Sequence, residues 1–118
     1  MKEKFETAII GNKETILGFK ALGLQTFDAK NSEEALEILT DLKSKTIALG
    51  NDEKRPEFAI IFITEELASG IDPDDYKKLS KDVLPAIIPV PGSKGTTGYG
   101  LKRIGKMVEQ AVGSDIMG

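Results

Sequence analysis

The sequence predicts an α/β fold: a small, doubly wound sheet of four parallel strands with helices on both faces, followed by a C-terminal helical tail on a glycine-rich tether. Apolar, β-branched runs begin at Phe5 and Phe58, and the second shows no polar alternation, which is typical of parallel strands covered on both faces. Amphipathic segments separate these runs. A change to proline and then glycine near residue 91 divides a body, residues 1–91, from a tether and amphipathic helix, residues 92–118.

The four predicted strands differ in length and position. Residues 5–10 and 58–63 are the strands expected in the middle of the sheet, and residues 24–28 are a shorter flanking strand. The last strand, residues 86–90, carries Pro89 and follows Pro85, and neither proline has an N–H to donate to a central ladder. We therefore expect this strand at an edge of the sheet.

The helices are predicted from their N-terminal signals. Asn12 can cap a first helix that continues to about Leu22, and Asn31 can cap a second, with Glu34 three residues further on. Asp72 and Pro73 open another helix, which has acidic residues in its first turn and lysines towards its end, in agreement with the helix dipole.

Residues 46–56 fit this scheme least well. Thr46 and the three residues after it either extend the second helix or form a separate turn. Residues 50–56 are charged and form a link longer than most helix-to-strand connections, so they are predicted to be a tolerated surface loop.

The composition excludes several classes of function. The chain has 118 residues, a net charge of −3, and no cysteine or histidine, which removes thiolate nucleophiles, disulfides, imidazole bases and the commonest zinc ligands. A nucleic-acid partner is not expected, because the net charge is slightly negative. Membrane insertion is not expected either, because no apolar run reaches about 20 residues. We predict a cytoplasmic binding or mechanical protein with no catalytic residue, cofactor or metal.

Two loops resemble phosphate-binding loops only superficially. At the turn after the first strand, Glu6, Asn12 and Lys13 occupy the positions where a phosphate loop requires glycine, lysine and serine or threonine. The later glycines do not give the dinucleotide fingerprint, and they follow the last strand rather than the first. Residues 92–100 are therefore interpreted as a linker, with these hinge candidates: Pro91, Gly92, Gly95, Gly98 and Gly100.

The tail carries an apolar seam with a/d-like spacing, formed by Leu101, Ile104, Val108 and Ala111. Two interpretations stay open: the seam covers the second face of the sheet, or it binds a partner helix. In the second case, basic residues beside the seam would steer the tail towards an acidic surface. The interface candidates are Leu101, Lys102, Arg103, Ile104, Lys106 and Val108.

The same layout occurs in the phospho-receiver domains of bacterial signalling. Receivers have an acidic pocket for magnesium, whereas this sequence has Gly11 and Asn12 after the first strand and Thr64 and Glu65 after the third. The alternative function is therefore a free-standing pseudo-receiver that binds a small anion or nucleotide near Gly11, Asn12, Thr64, Ser93 and Lys94.

Three segments resemble one family over nearly the whole chain. Gly18-Phe-Lys-Ala-Leu-Gly, Phe58-Ala-Ile-Ile-Phe-Ile-Thr-Glu-Glu and Leu84-Pro-Ala-Ile-Ile-Pro-Val-Pro are similar to segments of the F subunits of the V-type and A-type ATP synthases. The resemblance implies a non-catalytic central-stalk (rotor) subunit that binds the coiled-coil D subunit of the stalk, peripheral to the cell membrane. It also implies a role in coupling ATP synthesis or hydrolysis to proton or sodium transport, with a C-terminal helix that can regulate hydrolysis.

Overall fold

A computed structural model describes residues 5–92 of the chain. The predicted seam and most of the predicted tether lie outside these residues. Along the chain, the elements are β1 (Glu6–Gly11), α1 (Lys13–Lys20), β2 (Gln25–Asp28), α2 (Ser32–Ser44), β3 (Thr46–Gly50), β4 (Glu53–Pro56), β5 (Phe58–Thr64), α3 (Glu65–Ser69), α4 (Pro73–Leu79) and β6 (Ala86–Val90).

Four of the strands form the predicted parallel sheet, in the order β2-β1-β5-β6. The two central strands are β1 and β5, and nearly all of their residues are buried, as expected for strands covered on both faces. The prediction for β6 is confirmed, since it pairs with β5 alone and lies at the edge of the sheet. On its N-terminal side, Lys43 Nζ donates to the Pro85 carbonyl at 2.9 Å and so ties α2 to this edge.

The two faces of the sheet carry separate apolar clusters. On one face, α2 packs through Ala35, Leu39 and Leu42, and the side chains of α3 and α4 extend this cluster. On the other face, Phe19 of α1 packs with Ile9 and Phe62, with its ring centroid 6.4 Å from that of Phe62. Helices therefore lie on both faces of the sheet, as predicted. Within residues 5–92, α1 is the only helix that covers the second face.

The helix N-termini are capped as the sequence predicts. Asn12 Oδ1 accepts from the Thr15 amide and Asn31 Oδ1 accepts from the Glu34 amide, both at 2.9 Å. Asp72 Oδ1 accepts from the Asp74 amide at 2.8 Å and begins α4. The first helix ends at Lys20 rather than at about Leu22, because the chain turns through Gly23, whose φ is +86°.

The prediction for residues 46–56 was wrong, since this segment is an antiparallel β-hairpin of β3 and β4 rather than a helix extension and loop. Asn51 and Asp52 have φ values of 53° and 63°, as in the two-residue turns that suit hairpins. At its base, the Arg55 guanidinium lies 4.2 Å from the centroid of the Phe5 ring. These strands are hard to predict from the sequence, because β3 has only five residues and β4 consists of three charged residues and a proline.

Candidate functional site

The carboxyl ends of β1 and β5 are tightly packed where the pseudo-receiver alternative needs a ligand. A Cβ atom added to Gly11 would lie 3.0 Å from Thr64 Cγ2 and 3.5 Å from Thr15 Cβ. The Asn12 side chain already accepts from the Thr15 amide, which is one of the donors that an anion at this helix end would use. The structure therefore brings Gly11, Asn12 and Thr64 together but leaves little space between them.

Thr15 lies beneath this junction and is 4% exposed. Its Oγ1 atom is buried and has no hydrogen-bond partner among residues 5–92. A buried hydroxyl without a partner destabilises the folded state, because it loses its hydrogen bonds to water. Since the hydroxyl faces packed atoms rather than solvent, it does not open a binding site.

The described part of the chain ends at the first two hinge candidates. Pro91 is exposed and Gly92 is half-buried. A Cβ at Gly92 would lie 2.9 Å from Glu66 Oε1, so a larger residue here would have to displace the carboxylate of this α3 side chain. The other hinge candidates and all six interface candidates lie outside the described residues: Gly95, Gly98, Gly100, Leu101, Lys102, Arg103, Ile104, Lys106 and Val108.

A groove of about 580 Å³ lies between α3, α4 and the edge strand β6. We call it the α3–α4 groove. Apolar side chains contribute much of its lining, including Ala68, Ile71, Tyr76 and Pro89. Burial raises the pKa of the Tyr76 hydroxyl, which therefore stays a neutral donor at physiological pH. The groove is not predicted from the sequence, because it depends on the spacing of two short helices. Two residues could have indicated it: the aromatic Tyr76, and Pro89 in an edge strand.

One lysine lies at the margin of the α3–α4 groove, and two more lie beside it. Lys77 lines the groove, and Lys77, Lys78 and Lys81 line a second depression beside it together with Asp74. These three lysines form no salt bridge within residues 5–92. The groove therefore combines a largely apolar floor with one lysine, Lys77, at its margin.

Within residues 5–92, no group of three or more acidic, histidine or cysteine side chains could hold a metal ion. Over the same range, no helix combines the length and apolar character that crossing a membrane requires.

Comparisons with known proteins agree with one another. Residues 7–108 match the model of the family described as ATP synthase (F/14-kDa) subunit. The chain is 35% identical over 117 residues to the V-type ATP synthase F subunit of Fusobacterium nucleatum, covering 99% of this chain and 100% of that one. It is 32% identical over 109 residues to the A-type ATP synthase F subunit of Thermococcus kodakarensis, covering 92% and 95%.

A solved structure is similar in fold. The crystal structure of the F subunit of the V-type ATP synthase from Archaeoglobus fulgidus superimposes with a TM-score of 0.58 at 16% identity, covering 74% of this chain and 98% of that one. The sequence resemblance, the four-stranded parallel sheet and the family match thus lead to the same result. The chain belongs to the family of F subunits of the V-type and A-type ATP synthases.

Proposed function

We propose that the chain is a non-catalytic central-stalk (rotor) subunit, which binds the coiled-coil D subunit of the stalk and helps to couple ATP synthesis or hydrolysis to proton or sodium transport. The observation that carries this proposal is the family match, which extends through residue 108 and so includes every interface candidate in the tail. We place the protein on the cytoplasmic side of the cell membrane, peripheral to it, as a part of the synthase complex.

Two features support a non-catalytic role. The sequence has neither histidine nor cysteine, the side chains most suited to proton transfer and nucleophilic attack near neutral pH. The strand ends at Gly11 and Thr64, where a doubly wound sheet usually binds its ligand, are closely packed. The body is thus suited to transmitting force through a covered sheet rather than to holding a nucleotide.

Binding to the coiled-coil stalk partner tests the proposal. Co-expression should give a complex of the two chains that survives size-exclusion chromatography, and calorimetry of the isolated chain with ATP should detect no binding. A chain that binds ATP at micromolar strength and has no coiled-coil partner would favour the pseudo-receiver alternative instead.

The role of the seam is tested by Ile104→Asp. If the seam docks on the partner, the substitution should weaken binding by about tenfold or more, since burying one such side chain is worth roughly 1.5–3 kcal/mol. The melting temperature of the isolated chain should stay unchanged. Gln110→Asp adds the same charge off the seam and is the matched control. A general loss of stability in Ile104→Asp would show that the seam covers the sheet.

A further inference from the structure

The hairpin of β3 and β4 has one protected edge and one unprotected edge. β4 consists of three charged residues and Pro56, which has no N–H, and natural proteins place both features on free strands to prevent pairing with another chain. β3 (Thr46–Gly50) has neither a charge nor a proline, and β4 is its only strand neighbour within residues 5–92. The edge of β3 that faces away from β4 is therefore open to a further strand.

The open edge is regular and its base is held in place. Residues 46–48 pair with β4 in unbroken register, and the register shifts only after them, next to the turn. At the base, the Glu57 amide donates to the Lys45 carbonyl at 3.0 Å, and Arg55 lies against the Phe5 ring. A partner would therefore meet a preformed edge, and a third strand would stabilise a hairpin that is marginal with two.

The hairpin lies at the amino end of the parallel sheet. The residue that joins it to β5, Glu57, accepts through its carbonyl from the Glu6 amide at the start of β1 at 2.9 Å. Within residues 5–92, four of the five exposed large apolar side chains lie in segments at this same end: Leu22 after α1, Leu49 in the hairpin, and Val83 and Leu84 before β6. Exposed apolar side chains beside an open strand edge indicate a contact surface.

Charge does not select the occupant of this edge. The charges of the turn and of β4 cancel, since Asp52 and Glu53 are followed by Lys54 and Arg55, and β3 itself is uncharged. Neither an acidic nor a basic segment would therefore gain a net opposite charge here. Recognition depends instead on main-chain hydrogen bonds and on apolar contacts along β3, which an extended, uncharged segment provides.

The size of the edge shows where such a segment comes from. Five residues of strand extend about 17 Å, which gives an interface smaller than the roughly 1,200–2,000 Å² of a stable complex. The edge by itself is thus too small to hold a second copy of the chain. Its occupant belongs to a chain that other contacts already keep close to the body, as in a complex of several subunits.

Two other occupants fit the edge poorly. The chain's own tail follows β6 at the carboxyl end of the sheet, opposite the hairpin, and its apolar seam has the spacing of a helix rather than of a strand. The coiled-coil stalk partner presents helices, which cannot extend a β-ladder.

We infer that the open edge of β3 is a strand-addition site for an extended, uncharged segment of a synthase subunit other than the coiled-coil stalk partner. The inference goes beyond the proposed function, because it requires the chain to be part of the complex but does not depend on its rotation. It gives the hairpin a binding role that is separate from the tail seam.

Hydrogen exchange of the chain inside the assembled synthase complex tests this inference. The amides of Thr46–Gly50 should exchange at least about tenfold more slowly in the complex than in the free chain, because an added strand would pair with those that face away from β4. Equal exchange in the two states would overturn the inference.

A charge on the open edge provides a second test, with binding to a purified synthase complex that lacks this chain as the measurement. Ala48→Lys should weaken binding about tenfold, since an edge lysine prevents strand addition. Thr40→Lys adds the same charge on the exposed face of α2 and should stay within about twofold of the wild type. Hydrogen exchange at Lys54 in the free variant checks that the hairpin still forms. Equal binding of the two variants would contradict the inference.

A photo-crosslinker at Ala48 identifies the occupant. Reaction with an extended segment of another subunit is the expected result. Reaction with residues 101–118 of the same chain, with a second copy or with a helix of the coiled-coil stalk partner would overturn the inference and leave the proposed function standing. If the folded chain does not join the complex at all, the proposed function fails and the inference fails with it.

Discussion

At the scale of single residues, Thr15 carries the one buried side-chain polar atom that lacks a hydrogen-bond partner within residues 5–92. It lies in α1 beneath the ends of β1 and β5, and its hydroxyl has no hydrogen-bond partner in that range. The neighbouring Asn12 cap uses the Thr15 amide and leaves the hydroxyl unsatisfied. A substitution at Thr15 therefore tests whether this junction is closely packed or forms part of a binding site.

Thr15→Val should raise the free energy of unfolding by about 1 kcal/mol, because it removes a buried, unpaired hydroxyl while nearly conserving volume. Urea denaturation measures the effect. Thr40→Val is the control: its hydroxyl donates to the Leu36 carbonyl at 2.8 Å on the exposed face of α2, so this change should be neutral or slightly destabilising. A loss of stability in Thr15→Val would mean that the hydroxyl has a partner in solution.

Tyr76 gives a prediction for alkaline pH. Burial raises the pKa of its hydroxyl in the folded state, so above about pH 10 the unfolded chain loses this proton first. The contribution of Tyr76 is therefore fully present below that pH and is lost as the pH rises through the folded-state pKa. Relative to Tyr76→Phe, the wild type should lose unfolding free energy above about pH 10. Parallel pH profiles of the two proteins would contradict this.

At the scale of elements, the sequence predicts the parts of the fold that are set by local capping and by complete burial. Asn12, Asn31 and Asp72 cap helices as expected, and the unbroken apolar run from Phe58 is the central strand β5. Local patterns do not predict the hairpin, because its strands are short and mainly exposed and only β4 carries charge. Nor do they predict the α3–α4 groove, because it depends on how short helices pack against an edge strand.

The hairpin turn can be improved by one substitution. Asp52 has a φ of 63°, which glycine adopts without steric cost, so Asp52→Gly should stabilise the hairpin by about 0.5–1 kcal/mol. Hydrogen exchange at the paired residues Ala48 and Lys54 is the appropriate measurement, since the hairpin can open without unfolding the sheet. Asp52→Ala removes the same charge but keeps a Cβ at positive φ, and it should exchange faster than the wild type. Equal exchange in all three proteins would rule out this turn geometry.

At the scale of the whole molecule, the body combines a sheet covered by helices with a groove beside the edge strand from which the tail continues. Both central strands are nearly fully buried, which suits a part that must resist shear while it transmits torque. The proposed role in the complex is accordingly mechanical.

Direct observation of rotation tests the rotor assignment. The chain has no cysteine, so Glu37→Cys on the exposed face of α2 gives a single attachment site for a bead, distant in sequence from the seam. In an assembled complex fixed to a surface by its ATP-hydrolysing head, addition of ATP should make the bead turn in one direction. A bead that stays still while the same complexes hydrolyse ATP would contradict the assignment.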